Sequence, residues 1–134
     1  MKNLMVLVGL AFSCCALAAD EKDPVVNIYK ADTAVISGKL VRYYQSLGSP
    51  CIKIQVLKPG GKGAASNSMD FCSISGKSFN TDFSEVVLEK GEFSNNELLF
   101  TLTLMSLTQG ADITEVCKFN VDGEALSGPS CDTH

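Results

Sequence analysis

The sequence predicts an all-β domain, a small antiparallel β-sandwich or barrel with two local disulfides. Three observations carry that expectation. Short apolar/polar alternations recur along the chain, turn residues separate them every 8–12 positions, and an even set of four cysteines follows an export leader.

The leader is read first because it sets the compartment. MKNLMVLVGLAFSCCALAAD opens with Lys2, continues through an apolar run from Leu4 to Phe12, and closes on Ala16-Leu17-Ala18. Charge, apolar run and small-x-small site are the three parts of a secretory signal peptide. Residues 1–18 are therefore expected to be removed, leaving a single domain over residues 19–134. The apolar run is too short to span a bilayer, which takes about 20 residues. Cys14 and Cys15 raise lipid attachment as an alternative, although Ala11 stands where such a site puts a Leu-like residue. The expected localisation is secreted or periplasmic.

Once Lys2 leaves with the leader, ten basic side chains face fifteen acidic ones. That balance disfavours nucleic acid and anionic membrane as partners. Cys51, Cys72, Cys117 and Cys131 remain, and an exported chain of this size is expected to oxidise them into two bridges. No C-x-x-C pair exists and the one histidine is the last residue, so no metal is expected.

The elements follow in order. Residues 19–24 (ADEKDP) are a charged start. Residues 25–30 (VVNIYK) read as a short strand. Residues 33–44 (TAVISGKLVRYY) read as one strand, kinked or bulged at Gly38. Residues 45–50 (QSLGSP) make a turn.

Residues 51–57 (CIKIQVL) and 69–74 (MDFCSI) both alternate, with KPGGKGAASNS between them. Placing Cys51 opposite Cys72 fixes an antiparallel register. It sets Ile52 against Phe71 and Ile54 against Met69 on one face, and Lys53 against Asp70 and Gln55 against Ser68 on the other. Like meets like at each pair, and a slip by one residue would invert them all. This register places Gly61 and Lys62 at the centre of a type II′ hairpin turn, where the first position takes glycine. A phosphate-binding loop is excluded, since Gly63 follows Lys62 where Ser or Thr belongs and no helical pattern comes next.

Residues 75–82 (SGKSFNTD) are loop-like, with Phe79 a candidate core plug. Residues 83–93 (FSEVVLEKGEF) suggest a strand and then a turn at Lys90-Gly91. Residues 94–97 (SNNE) turn the chain again. Residues 97–107 (ELLFTLTLMSL) are the clearest strand. Leu98, Phe100, Leu102 and Leu104 form one stripe, and the other stripe is half-apolar, as a central strand requires. Residues 113–121 (ITEVCKFNV) alternate with Ile113, Cys117, Phe119 and Val121 inward. Asp122-Gly123 is a type I′ hairpin signal leading to residues 124–134. The expected bridges are Cys51–Cys72 and Cys117–Cys131. The repeated ISGK at 36–39 and 74–77 has unmatched flanks and is read as coincidence.

Catalytic chemistry finds little to stand on. A Ser-His-Asp or Cys-His arrangement needs an internal imidazole, and His134 is terminal. Glu85, Glu89, Glu92 and Glu97 sit at turns and strand ends, where carboxylates are solvated. No cofactor is expected. RYYQ (42–45) is the one polar-aromatic cluster, and Tyr43 and Tyr44 must point to opposite faces of a strand.

Two families invite comparison. Small exported disulfide-bonded β-barrels that inhibit lysozyme share size and compartment, but Val41 breaks their S-G-x-x-Y signature. The stretch VISGKLVRYYQSLGSPC resembles the start of chaperone-usher fimbrial subunits, without their long intercysteine spacing or aromatic-ended last strand. Neither carries a residue over, and no family is recognised.

The expected function is that of a non-catalytic protein-binding or inhibitory module. Its candidate contact residues are Arg42, Tyr43, Tyr44, Gly61 and Lys62, and its partner is a protein not identified by the sequence. The alternatives are a structural or assembly subunit using an exposed edge strand, and a small hydrolase using paired carboxylates.

Overall fold

The computed structural model describes residues 28–134. The leader at 1–18, the lipid alternative at Cys14 and Cys15, and residues 25–27 of the first expected strand lie outside the described residues.

The strands are β1 (Ile28–Ile36), β2 (Lys39–Ser46), β3 (Ile52–Leu57), β4 (Ala65–Phe71), β5 (Ser73–Ile74), β6 (Lys77–Ser78), β7 (Phe83–Ser94), β8 (Glu97–Ser106), β9 (Ile113–Asp122) and β10 (Ala125–Thr133). They form two antiparallel meanders in strict chain order. One sheet is β1-β2-β3-β4, the other is β10-β9-β8-β7, and the small β5-β6 hairpin lies between them in sequence. No helix interrupts the described residues, because apolar residues repeat at period two almost throughout.

That period builds the core. Val41 and Tyr43 of β2 and Ile52, Ile54 and Val56 of β3 are buried, as are Leu98, Phe100, Leu102 and Leu104 of β8. Most of their neighbours one residue along are half-exposed, Leu57 being buried and Leu40 exposed. Phe79 rings pack edge-on against Phe71 and Phe83, Phe71 against Phe119, and Phe119 against Phe100. This aromatic line ties the two sheets and the β5-β6 hairpin into one core.

Both expected bridges are present, Cys51–Cys72 and Cys117–Cys131. Each joins the third and fourth strands of its own sheet, or the residues flanking them. The β3/β4 register is the one the cysteines impose: Ile52 faces Phe71, Lys53 faces Asp70, Ile54 faces Met69 and Gln55 faces Ser68.

Five local expectations are corrected. Gly38 is not a kink within one strand. Ile36 pairs with Lys39, so Ser37 and Gly38, at φ 49° and 72°, form a two-residue hairpin loop between β1 and β2. Both residues at positive φ is the type I′ pattern, whose twist suits a hairpin. The second ISGK makes the same loop, with Ser75 and Gly76 at φ 49° and 76°; the likeness is one of turn type.

Lys90-Gly91 does not turn the chain. The register shifts between Leu88 and Lys90, and β7 runs on through this bulge to Ser94. Nor is the β3–β4 loop a two-residue turn on Gly61-Lys62. The register shifts after Val56, and two consecutive turns follow. The Gly61 amide donates to the Lys58 carbonyl, and the Ala64 amide donates to the Gly61 carbonyl. The residues at positive φ are Gly60, Lys62 and Gly63, and Gly61 is not among them.

At β9–β10 the central pair is Gly123-Glu124, because Asp122 pairs with Ala125. Only Gly123 has positive φ, at 61°, so the turn follows the type II′ pattern. Ile113, the first residue of β9, is 42% exposed rather than inward.

Candidate binding surface

The outer face of the β1–β4 sheet is a set of side-chain rows running across the strands. Alternation dictates its membership. Val41, Tyr43 and Gln45 point inward on β2, so Leu40, Arg42 and Tyr44 point out. On β3, Lys53 and Gln55 point out between buried isoleucines and Val56.

The registers then set neighbours. Thr33, Arg42, Gln55 and Ser68 form one row; Ala31, Tyr44, Lys53 and Asp70 form the next. Arg42 Nε donates to Gln55 Oε1 at 2.7 Å, and Gln55 Nε2 donates to Ser68 Oγ at 3.4 Å. Lys53 Nζ lies 3.6 Å from Asp70 Oδ1. Beyond the Arg42 row, Val35 and Leu40 oppose each other and are 70% and 43% exposed.

Arg42 also joins this face to the glycine loop. Its second terminal nitrogen donates to the Gly63 carbonyl at 3.0 Å. The β3–β4 loop is thereby held against the outer face, with Lys62 exposed next to the bonded carbonyl. The structure therefore joins Arg42 to the loop that carries Gly61 and Lys62, with Tyr44 two residues along β2 on the same face.

Tyr43 is the exception among the candidates. It is 4% exposed and packs edge-on against Phe100. Strand alternation sends it to the core once Tyr44 faces out, and its side chain is corrected from a contact residue to a core residue. Burial, and then the negative charge of Asp32, push its phenol above the usual 10.0.

A concavity lies elsewhere on the molecule. A cleft of about 450 Å³ opens between the β2–β3 turn and the start of β7, lined by Leu47, Pro50, Phe79, Phe83, Ser84 and Glu85 among others. None of the candidate contact residues lines it. Gln45, at its floor, is 1% exposed and donates through Nε2 to the carbonyls of Pro50 and Val86. That amide links the first sheet to β7 across the core. Its role was missed because QSLGSP reads as a turn. Extending the 41, 43, 45 parity of β2 by one step would have placed Gln45 inside.

His134 is held by its backbone amide, which donates to the Thr114 carbonyl. Its imidazole has no hydrogen-bonded hydroxyl or carboxylate among the described residues. The described residues contain no group of three His, Cys, Asp or Glu able to hold a metal ion. No helix among them is long and apolar enough to cross a membrane.

No family model matches the chain, and neither a curated protein nor a solved structure matches it.

Proposed function

We propose that this chain is an exported, disulfide-stapled β domain that binds a protein partner without chemistry of its own. Contact is made through the outer face of the first sheet and the β3–β4 loop, and it is inhibitory where it covers the partner's working surface. Export is supported by the leader pattern at residues 1–18 and by two bridges that call for an oxidising compartment.

The observation that carries the reading is the Arg42 bridge. By bonding Gln55 and Gly63 together, Arg42 turns a sheet face and a mobile class of element, the loop, into one preorganised surface. Tyr44, Leu40 and Val35 supply the aromatic and apolar contacts in which binding energy concentrates.

The test is capture from the surroundings into which the protein is exported, followed by affinity measurement on the identified partner. Tyr44→Ala and Leu40→Ala are expected to weaken binding tenfold or more, about 1.4 kcal/mol each. Unchanged affinity in both variants overturns the reading.

A second reading is assembly by strand addition. It is favoured by β1, which has a ladder partner on one side only and leaves Ala31, Asp32, Thr33 and Val35 exposed. Concentration-dependent oligomers in sedimentation select this reading, and a monomer at all concentrations removes it.

A further inference from the structure

We propose that the partner met by this surface is an acidic protein, engaged at a local carboxylate-rich patch. The inference rests on the reading that the first sheet's outer face binds a protein, and it adds the chemistry of what is bound.

Charge in this molecule sorts by sheet. Residues 28–71, which build the first sheet, hold six bases (Lys30, Lys39, Arg42, Lys53, Lys58 and Lys62) against two acids, Asp32 and Asp70. Residues 72–134, which build the second sheet and the small hairpin, hold three bases against ten acids. The two meanders are opposite layers of one core, so a division in sequence is a division in space. A chain that is acidic overall carries a basic face.

Lys39 lies 3.7 Å from Glu124 of the second sheet, which leaves Arg42, Lys53, Lys58 and Lys62 as the cations of the outer face and its loop. Arg42 donates hydrogen bonds to two neutral acceptors, Gln55 Oε1 and the Gly63 carbonyl. Its charge stays uncompensated, and a guanidinium has five N–H donors to offer. Lys58 and Lys62 are exposed on the loop, without an acidic partner among the described residues. Lys53 does pair with Asp70, but at 3.6 Å and partly exposed, a contact that a partner's carboxylates, as competing acceptors, exchange readily.

Lys62 adds a second, independent observation. It sits at φ 52°, in the left-handed region where backbone sterics favour Gly or Asn. The turn itself does not ask for lysine. Between two glycines, the chain places its one long cation of the loop tip where the backbone least favours it.

The class of partner follows from what surrounds the cations. Val35, Leu40 and Tyr44 give the face an apolar and aromatic component, which suits a folded protein surface. An extended polyanion, whether nucleic acid, acidic polysaccharide or an anionic bilayer, reaches past the rim of a small sheet. It would meet the field of the ten acids one layer away, a distance comparable to the Debye length of about 8 Å. A compact acidic patch gains the attraction and escapes the repulsion.

The experiment uses the oxidised, leader-free protein, isotope-labelled for amide NMR, titrated with a short Glu-rich peptide as probe. The expected result is saturable shifts at Arg42, Lys53, Gln55, Lys62 and Gly63 that weaken as salt is raised. Lys58→Glu combined with Lys62→Glu, both exposed positions, is expected to lower affinity at least tenfold, while Lys77→Glu on the β5-β6 hairpin leaves it unchanged. Shifts that are absent, or spread equally over Lys77, Lys90 and Lys118, overturn the inference. So does tighter binding to heparin fragments or phosphatidylglycerol vesicles than to the peptide. A captured protein partner weakened by Tyr44→Ala but indifferent to the lysine reversals keeps the binding face and removes its acidic ligand.

Discussion

The Tyr43 hydroxyl fills the space that any side chain at residue 91 would need. A Cβ built on Gly91 runs into Oη, Cζ and Cε1 of Tyr43. The bulge between Leu88 and Lys90 brings this part of β7 over β2, and glycine lets the two sheets close on the tyrosine ring. Gly91→Ala is expected to destabilise the fold by about 1–3 kcal/mol through overpacking. In urea unfolding, adding Tyr43→Leu to Gly91→Ala is expected to cost less than the sum of the two single changes, because the smaller side chain vacates the contested volume. Strict additivity contradicts the contact.

The same tyrosine gives the fold a pH dependence. Burial, with the Asp32 charge behind it, raises the folded-state value of Tyr43 above 10.0, while the unfolded chain keeps the ordinary one. A raised value means the unfolded state releases its proton first. The contribution of Tyr43 is therefore complete below about pH 10 and is lost as pH rises through the folded value. Tyr43→Phe is expected to flatten the fall of stability with pH above that point, measured by denaturant unfolding at stepped pH. An unchanged slope contradicts it.

Gln45, the one buried polar side chain among the described residues, is a structural tie. Replacing it with Leu leaves the carbonyls of Pro50 and Val86 without that donor. The expected loss is about 1–3 kcal/mol, more than a surface Gln would cost. Gln55→Leu on the outer face serves as the comparison, and equal losses would argue against the tie.

The two staples should contribute comparably. Cys51 and Cys72 are separated by 21 residues, and Cys117 and Cys131 by 14. In the chain-entropy model each closure contributes about 3 kcal/mol, since the loop-length term is logarithmic. Paired Cys→Ser variants of either bridge are expected to lower the urea midpoint by similar amounts. A fold indifferent to one pair would contradict this.

How much of this was legible depended on whether a position was set locally or by what lay across from it. The β3/β4 register was readable because the cysteine pairing fixes one number and four residue pairs then agree in character. Phe79 was readable as a plug because an aromatic inside a polar loop has few other places to go. The β3–β4 loop was not, since Ala64 to Ser68 carry no strand pattern and the bulge after Val56 absorbs a residue that no sequence signal marks. Lys90-Gly91 looked like a turn because its glycine answers to Tyr43, 48 residues away in the chain, and not to local chain reversal. For the candidate surface, Arg42 and Lys62 were legible as separate residues. Their union was not, since it depends on Gln55 and on a carbonyl at Gly63 that only the folded loop presents.

The most direct measurement of the central claim is amide hydrogen exchange on the oxidised protein, free and bound to its captured partner. The account predicts added protection at the loop amides of residues 60–63 and along Leu40–Tyr44, with the cleft unchanged. Protection confined to Ser46–Ser49 and Ser84–Val87, the walls of the cleft, would contradict it and place the binding site at the other end of the molecule.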